Sequence, residues 1–150
     1  MKKVLAIVAA LFLTVSAYAQ IEAPVKWAYA AKKNSPTEVT VLLKATIDGG
    51  WHIYSQHIKD GGPVKTSFTF AKSKSYALVG PTTEPKPITK YEKTFGMNVS
   101  FFENEVVFQQ KIKLKSAKVS VINGQLEYMT CNNSKCKQPE DVNFTIPLGK

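Results

Sequence analysis

Beyond about residue 20 the hydrophobic positions recur with a period of two. Val39, Val41, Leu43, Ala45 and Ile47 fall on one side, with Thr40, Lys44 and Thr46 on the other, which is the pattern of a strand buried on one face. Similar short runs lie at Val25 to Ala31, Thr66 to Phe70, Ser75 to Val79, Met97 to Phe102, Val106 to Lys115, Ala117 to Ile122, Gln125 to Cys131 and Val142 to Leu148. Turn chemistry separates many of them: Asn34-Ser35-Pro36, Asp48-Gly49-Gly50, Asp60-Gly61-Gly62-Pro63 and Asn123-Gly124. No window of ten or more residues carries the 3.6-residue periodicity of an amphipathic helix. The pattern therefore predicts an all-β sandwich. Gly80 to Lys93 holds Pro81, Pro85 and Pro87, which cannot donate to a ladder, and is predicted to be a loop. No internal repeat or low-complexity tract interrupts the chain.

The first residues change the picture by setting the compartment. Lys2 and Lys3 precede an apolar run from Val4 to Val15, and Ala17-Tyr18-Ala19 supplies a small-x-small cleavage site before Gln20. The run is too short to span a bilayer, and no cysteine near the cleavage site is placed to carry a lipid anchor. Residues 1–19 are read as a signal peptide and residues 20–150 as one domain, soluble in the bacterial periplasm, where disulfides form and persist. The 131 residues left from 150 are enough to bury roughly two thirds of the chain's surface without covalent staples.

The formal charge of +9 includes Lys2 and Lys3, so the mature chain carries +7, and every basic residue is lysine. Arginine, the usual bidentate reader of bases and phosphates, is absent. Lys111, Lys113 and Lys115 alternate with Ile112 and Leu114, which describes the wet face of a strand. Nucleic acid is thus excluded as a partner, and the lysines read as a solvated surface that also steers acidic partners.

The candidate chemistry rests on Cys131 and Cys136, joined by Asn132-Asn133-Ser134-Lys135 where a strand leaves the sheet. A bond between them would close a ring of about six residues and stabilise the fold by only about 2 kcal/mol, so the domain does not depend on it. Lys135 and Lys137 flank Cys136, and positive charge favours the thiolate, the form that attacks disulfides. The residues leave two readings open: a redox pair, or a structural disulfide in a non-catalytic β-sandwich interaction module. Soft-metal binding by the cysteines with Met97, Met129, His52 and His57 is weaker, because the two histidines sit five apart on a strand and face opposite sides. No metal or other cofactor is expected, and neither a Ser-His-Asp set nor a phosphate-binding glycine loop can be assembled.

Three segments in order carry a family resemblance: Gly50-Trp51-His52-Ile53-Tyr54-Ser55 after the second strand, Tyr91-Glu92-Lys93-Thr94-Phe95-Gly96, and the hairpin Tyr128-x-x-Cys131 to Cys136-x-x-Pro139 followed by Val142-x-Phe144-x-Ile146-Pro147-Leu148. Over nearly the whole mature length the chain resembles the N-terminal domain of the thiol:disulfide interchange protein DsbD, the disulfide bond corrector domain. The resemblance implies an immunoglobulin-like β-sandwich whose cysteine pair takes electrons from a thioredoxin-like donor and passes them to periplasmic oxidoreductases, such as disulfide isomerases or cytochrome c maturation thioredoxins. Cys131 and Cys136 match the family pair, with Cys136 forming the mixed disulfide and Cys131 resolving it. Phe95 matches the aromatic tip of a loop that covers the disulfide, Glu92 stands for that loop's acidic residues, and Tyr54 matches an aromatic position lining the site. Full-length DsbD continues into a transmembrane carrier and a thioredoxin-like domain, whereas this chain stops at Lys150. The resemblance thus implies a monomeric domain served by a separately encoded membrane electron donor.

Overall fold

The computed structural model describes residues 23–149; the expected signal peptide lies outside them. Eleven strands make up the fold: β1 (Val25–Ser35), β2 (Glu38–Ile47), β3 (Trp51–Tyr54), β4 (Ser67–Phe70), β5 (Tyr76–Thr83), β6 (Ile88–Glu92), β7 (Met97–Phe102), β8 (Glu105–Leu114), β9 (Val121–Tyr128), β10 (Thr130–Asn132) and β11 (Glu140–Pro147). They form three sheets, ordered β1-β2-β8-β5, β10-β3-β7-β6 and β11-β9-β4, with antiparallel pairing throughout. The architecture is an immunoglobulin-like all-β sandwich.

The alternation explains the layering. In β2 and β8 the apolar residues Val41, Leu43, Ala45, Val106, Phe108 and Ile112 are buried, while Thr46, Glu105, Lys111 and Lys113 are exposed. This inner face packs on the β11-β9-β4 sheet. The Trp27 ring of β1 lies 6.1 Å from Phe68 and 5.5 Å from Tyr128, and Tyr29 lies 5.6 Å from Phe144. Leu43, Phe108, Ile112, Ile122, Leu126 and Ile146 are fully buried in this core, each contributing about 1.5–3 kcal/mol relative to an exposed side chain. The two cysteines take no part in it.

Four expectations are corrected. Gly80 to Lys93 is not a continuous loop: β5 runs through Pro81 to Thr83, and β6 begins at Ile88. Pro81 is accommodated because β5 is an edge strand and its register with β8 shifts between Val79 and Thr83. The buried Gln110 side chain satisfies the irregular backbone, donating to Gly80 O (3.1 Å) and Lys111 O (2.8 Å). Ala117 to Ser120 is turn and coil rather than strand, and Asn123-Gly124 is not a turn but the middle of β9. Gly124 faces Phe144 on β11 and Phe70 on β4; a Cβ there would sit 2.3 Å from Phe144 Cζ and 2.5 Å from Thr69 O. The glycine makes room for an aromatic ring. Finally, the run Gln125 to Cys131 divides, because β9 ends at Tyr128 in one sheet and β10 opens at Thr130 in another.

Candidate functional site

The site is built on β3, whose four residues are all buried. Successive side chains of a strand point to opposite faces. Trp51 and Ile53 belong to the main core, and Tyr54 belongs to a second cluster with Val99 and Phe101 of β7 and Cys131 of β10. His52, two residues from Tyr54, shares that second face; its ring lies 4.8 Å from Phe101 and 5.2 Å from Tyr54. The backbone is pinned from both sides, as Thr130 Oγ1 donates to His52 O (2.9 Å) and Thr66 Oγ1 to Tyr54 O (2.6 Å).

Cys131 and Cys136 form a disulfide across a small hairpin. They are opposite each other as an isolated antiparallel bridge, with Cα atoms 4.0 Å apart. Flanking backbone bonds run from Asn132 N to Lys135 O and from Lys137 N to Thr130 O, both 2.9 Å, the arrangement of a narrow antiparallel pair. The Asn132 side chain closes the turn by accepting from Ser134 N (2.9 Å) and Lys135 N (2.8 Å). The two sulfur-bearing residues differ in environment: Cys131 is 2 % exposed, whereas Cys136 is exposed.

Opposite this hairpin stands the β6–β7 turn. Glu92 O accepts from Phe95 N (3.2 Å) and Gly96 N (2.9 Å), and Gly96 takes a φ of 65°, which suits a residue without a Cβ. The turn directs Phe95 onto the second cluster, its ring half-buried and edge-on to Tyr54 at 6.2 Å. Between turn and hairpin lies a depression of about 410 Å³ lined by His52, Tyr54, Glu92, Phe95 and both cysteines. The structure thus gathers the five residues singled out in the sequence around one disulfide.

The model of the family described as thiol:disulfide interchange protein DsbD, N-terminal, matches residues 20–147. The chain belongs to the DsbD N-terminal family. Among solved structures, the N-terminal periplasmic domain of ScsB from Proteus mirabilis is 25% identical with a TM-score of 0.63; the match covers 84% of this chain and 47% of that one. The chain therefore spans about half the length of that relative. The DsbD N-terminal domain of Neisseria meningitidis in its reduced form matches at 19% identity and a TM-score of 0.53, over 81% of this chain and 83% of that one, and shows the common fold. No curated protein sequence matches the chain.

The electrostatics of this DsbD-type site favour neutral groups around the buried sulfur. Burial raises the Tyr54 phenol to about 12, with the Glu92 carboxylate adding to the shift. Burial lowers the His52 imidazole; Glu92 and Glu103 pull it back up, and Lys90 pushes it further down. Lys135 lies over the Trp51 ring, 5.5 Å from its centroid, and so ties the hairpin to β3.

In the sequence His52 stands only in a weak metal set and within the Gly50–Ser55 segment, not among the site residues. The available signal was its i, i+2 relation to Tyr54 on a strand. His57 lies apart, beside the proline-containing segment from Pro81 to Pro87, while Met97 and Met129 pack against the second cluster. Among the described residues no group of three or more His, Cys, Asp or Glu side chains is arranged to hold a metal ion.

Proposed function

We propose that this chain is a periplasmic thiol–disulfide exchange protein that relays electrons through Cys131 and Cys136, exported by residues 1–19. The observation that carries the reading is the asymmetry of the pair: Cys136 is exposed at the rim of the depression, and Cys131 is buried at its floor. In the reduced domain the Cys136 thiolate attacks a partner disulfide, forming a mixed disulfide and releasing one partner sulfur as a thiolate. Cys131 then attacks Cys136 Sγ, which closes the intramolecular bond and releases the second partner thiolate. Two electrons and two protons leave the domain in all.

Reloading runs the same steps backwards from a dithiol donor, a thioredoxin-like domain or a separately encoded membrane protein. The acceptors are periplasmic thioredoxin-fold oxidoreductases of the disulfide-isomerase or cytochrome c maturation type. Phe95 acts as the cap that a partner must displace, and Glu92 and Tyr54 frame the opening. The periplasmic location of the ScsB domain and the reduced state of the Neisseria domain both support this reading.

The test is the reduction potential of the pair, obtained by equilibrating the mature domain in thiol buffers and counting free thiols. A value of about −120 to −270 mV, with the fold retained, is the expected result. The hairpin ladder around the bridge also suits a structural staple, and that second reading requires a value below about −300 mV, with no mixed disulfides captured from periplasmic extract by a Cys131→Ser variant.

A further inference from the structure

On β10 and β3, Cys131 and His52 are direct cross-strand partners. Residues paired in this way project to the same face with Cβ atoms about 4.5–5.5 Å apart, and both line the depression. Cys131 is enclosed by Tyr54, Val99 and Phe101, surroundings that disfavour a bare thiolate. Resolution of a mixed disulfide nevertheless requires that thiolate, so a buried resolving cysteine needs a base beside it.

We propose that His52 is the proton acceptor that turns the Cys131 thiol into the resolving nucleophile. The inference rests on the exchange reading above. As the mixed disulfide on Cys136 is resolved, the Cys131 proton passes to the neutral imidazole. The Cys131 sulfur pair forms the bond to Cys136 Sγ, the Cys136–partner bond breaks, and the departing partner sulfur takes the electron pair. The imidazolium then returns its proton to that thiolate or to water. In the reverse direction the imidazolium protonates Cys131 as it leaves.

Several observations suit the role. The Nε2 of His52 lies 3.2 Å from Tyr54 Oη, so one ring nitrogen is held by the phenol and the imidazole orientation is fixed. Burial keeps the ring neutral and able to accept a proton. The charges facing it are mixed: Glu92 and Lys90 from β6, Glu103 beyond β7, and Lys135 on the cysteine hairpin. Glu92 and Glu103 favour the imidazolium once it forms. Tyr54, whose hydroxyl holds the ring, stays protonated up to about pH 12 and cannot serve as the base at neutral pH.

The experiment follows the reduced mature protein with dipyridyl disulfide, whose released thiopyridone absorbs light. The first equivalent reports attack by Cys136 and the second reports resolution by Cys131. In His52→Gln the second phase is expected to slow by about 100-fold near pH 7 and to converge on wild type only at strongly alkaline pH, where even the buried thiol ionises unaided. An unchanged second phase, or one slowed equally at every pH, overturns the proposal while leaving the exchange function standing. Absence of any second phase in the wild type overturns the exchange reading itself.

If His52→Gln does not fold, the same question is put to Cys136→Ala with His52 intact. The His52 ring signals followed by NMR are then expected to show a second inflection at the pH where the lone Cys131 thiolate appears in the ultraviolet. Independent titration of the two groups overturns the proposal.

Discussion

Reducing the Cys131–Cys136 bond is expected to lower the unfolding free energy by about 2 kcal/mol and to leave the sandwich folded. The sequence separation is 5, and closing so small a ring removes only that much entropy from the unfolded chain. Nothing else in the folded hairpin depends on the bond. The two flanking backbone hydrogen bonds and the Asn132 side-chain turn are independent of the sulfurs, and the main core contains neither cysteine. The loss is small against the roughly 5–15 kcal/mol that holds a domain of this size together. By linkage, the folded pair is expected to be more reducing than the same pair in the unfolded chain by roughly 45 mV. Urea titrations of the oxidised and reduced mature domain, followed by the fluorescence of Trp27 in the core and Trp51 beside the hairpin, measure the difference as a midpoint shift of about 1 M. Unfolding on reduction without denaturant, or a loss above about 5 kcal/mol, would refute the separation of redox site from core.

Phe95→Ala is expected to cost about 1–2 kcal/mol, since the ring is only half-buried. It should also raise the rate of bridge reduction by a small dithiol about tenfold, because the cap no longer has to be displaced; an unchanged rate argues against a cap. Gly124→Ala should destabilise by about 3 kcal/mol in urea, the upper end for overpacking, since the new Cβ meets backbone as well as the Phe144 ring. A loss below about 1 kcal/mol would return Asn123-Gly124 to an open turn. Tyr54 titrates higher in the folded state, about 12 against 10.0, so the folded protein holds the proton more tightly and stability falls as pH rises from about 10 to 12. Tyr54→Phe should flatten part of that alkaline slope in pH-dependent melts; Tyr29, Tyr76 and Tyr128, also raised by burial, supply the remainder.

Where one face of a strand is wet, the fold was legible. Val41 to Ile47 and Val106 to Leu114 alternate because solvent lies on one side and aromatic rings on the other, whereas Thr40 on the wet side is buried. The pattern fails at β3, since Trp51 and Ile53 face the core and His52 and Tyr54 face the second cluster, so the segment reads as uniformly apolar or aromatic and too short for periodicity to act on. It fails again at Gly124, where local turn chemistry is overridden by the space Phe144 requires, and at Pro81, which an edge strand tolerates through a bulge. The cysteine pair was visible from spacing, but the contrast in burial between its two members was not. It arises from β10 lying against β3 while the following turn stands clear.

If the proposed exchange runs through this pair, that contrast constrains its traffic. With only one sulfur addressable from outside, every covalent encounter, whether it delivers electrons or removes them, is made through the same atom and the same patch of surface between the Phe95 turn and the cysteine hairpin. On the exchange reading proposed above, donor and acceptor cannot both dock there, so turnover would alternate between them in ping-pong fashion, each inhibiting the other by competition when in excess. A domain working in this way would be a single-berth ferry, its throughput set by how quickly one partner leaves before the next arrives.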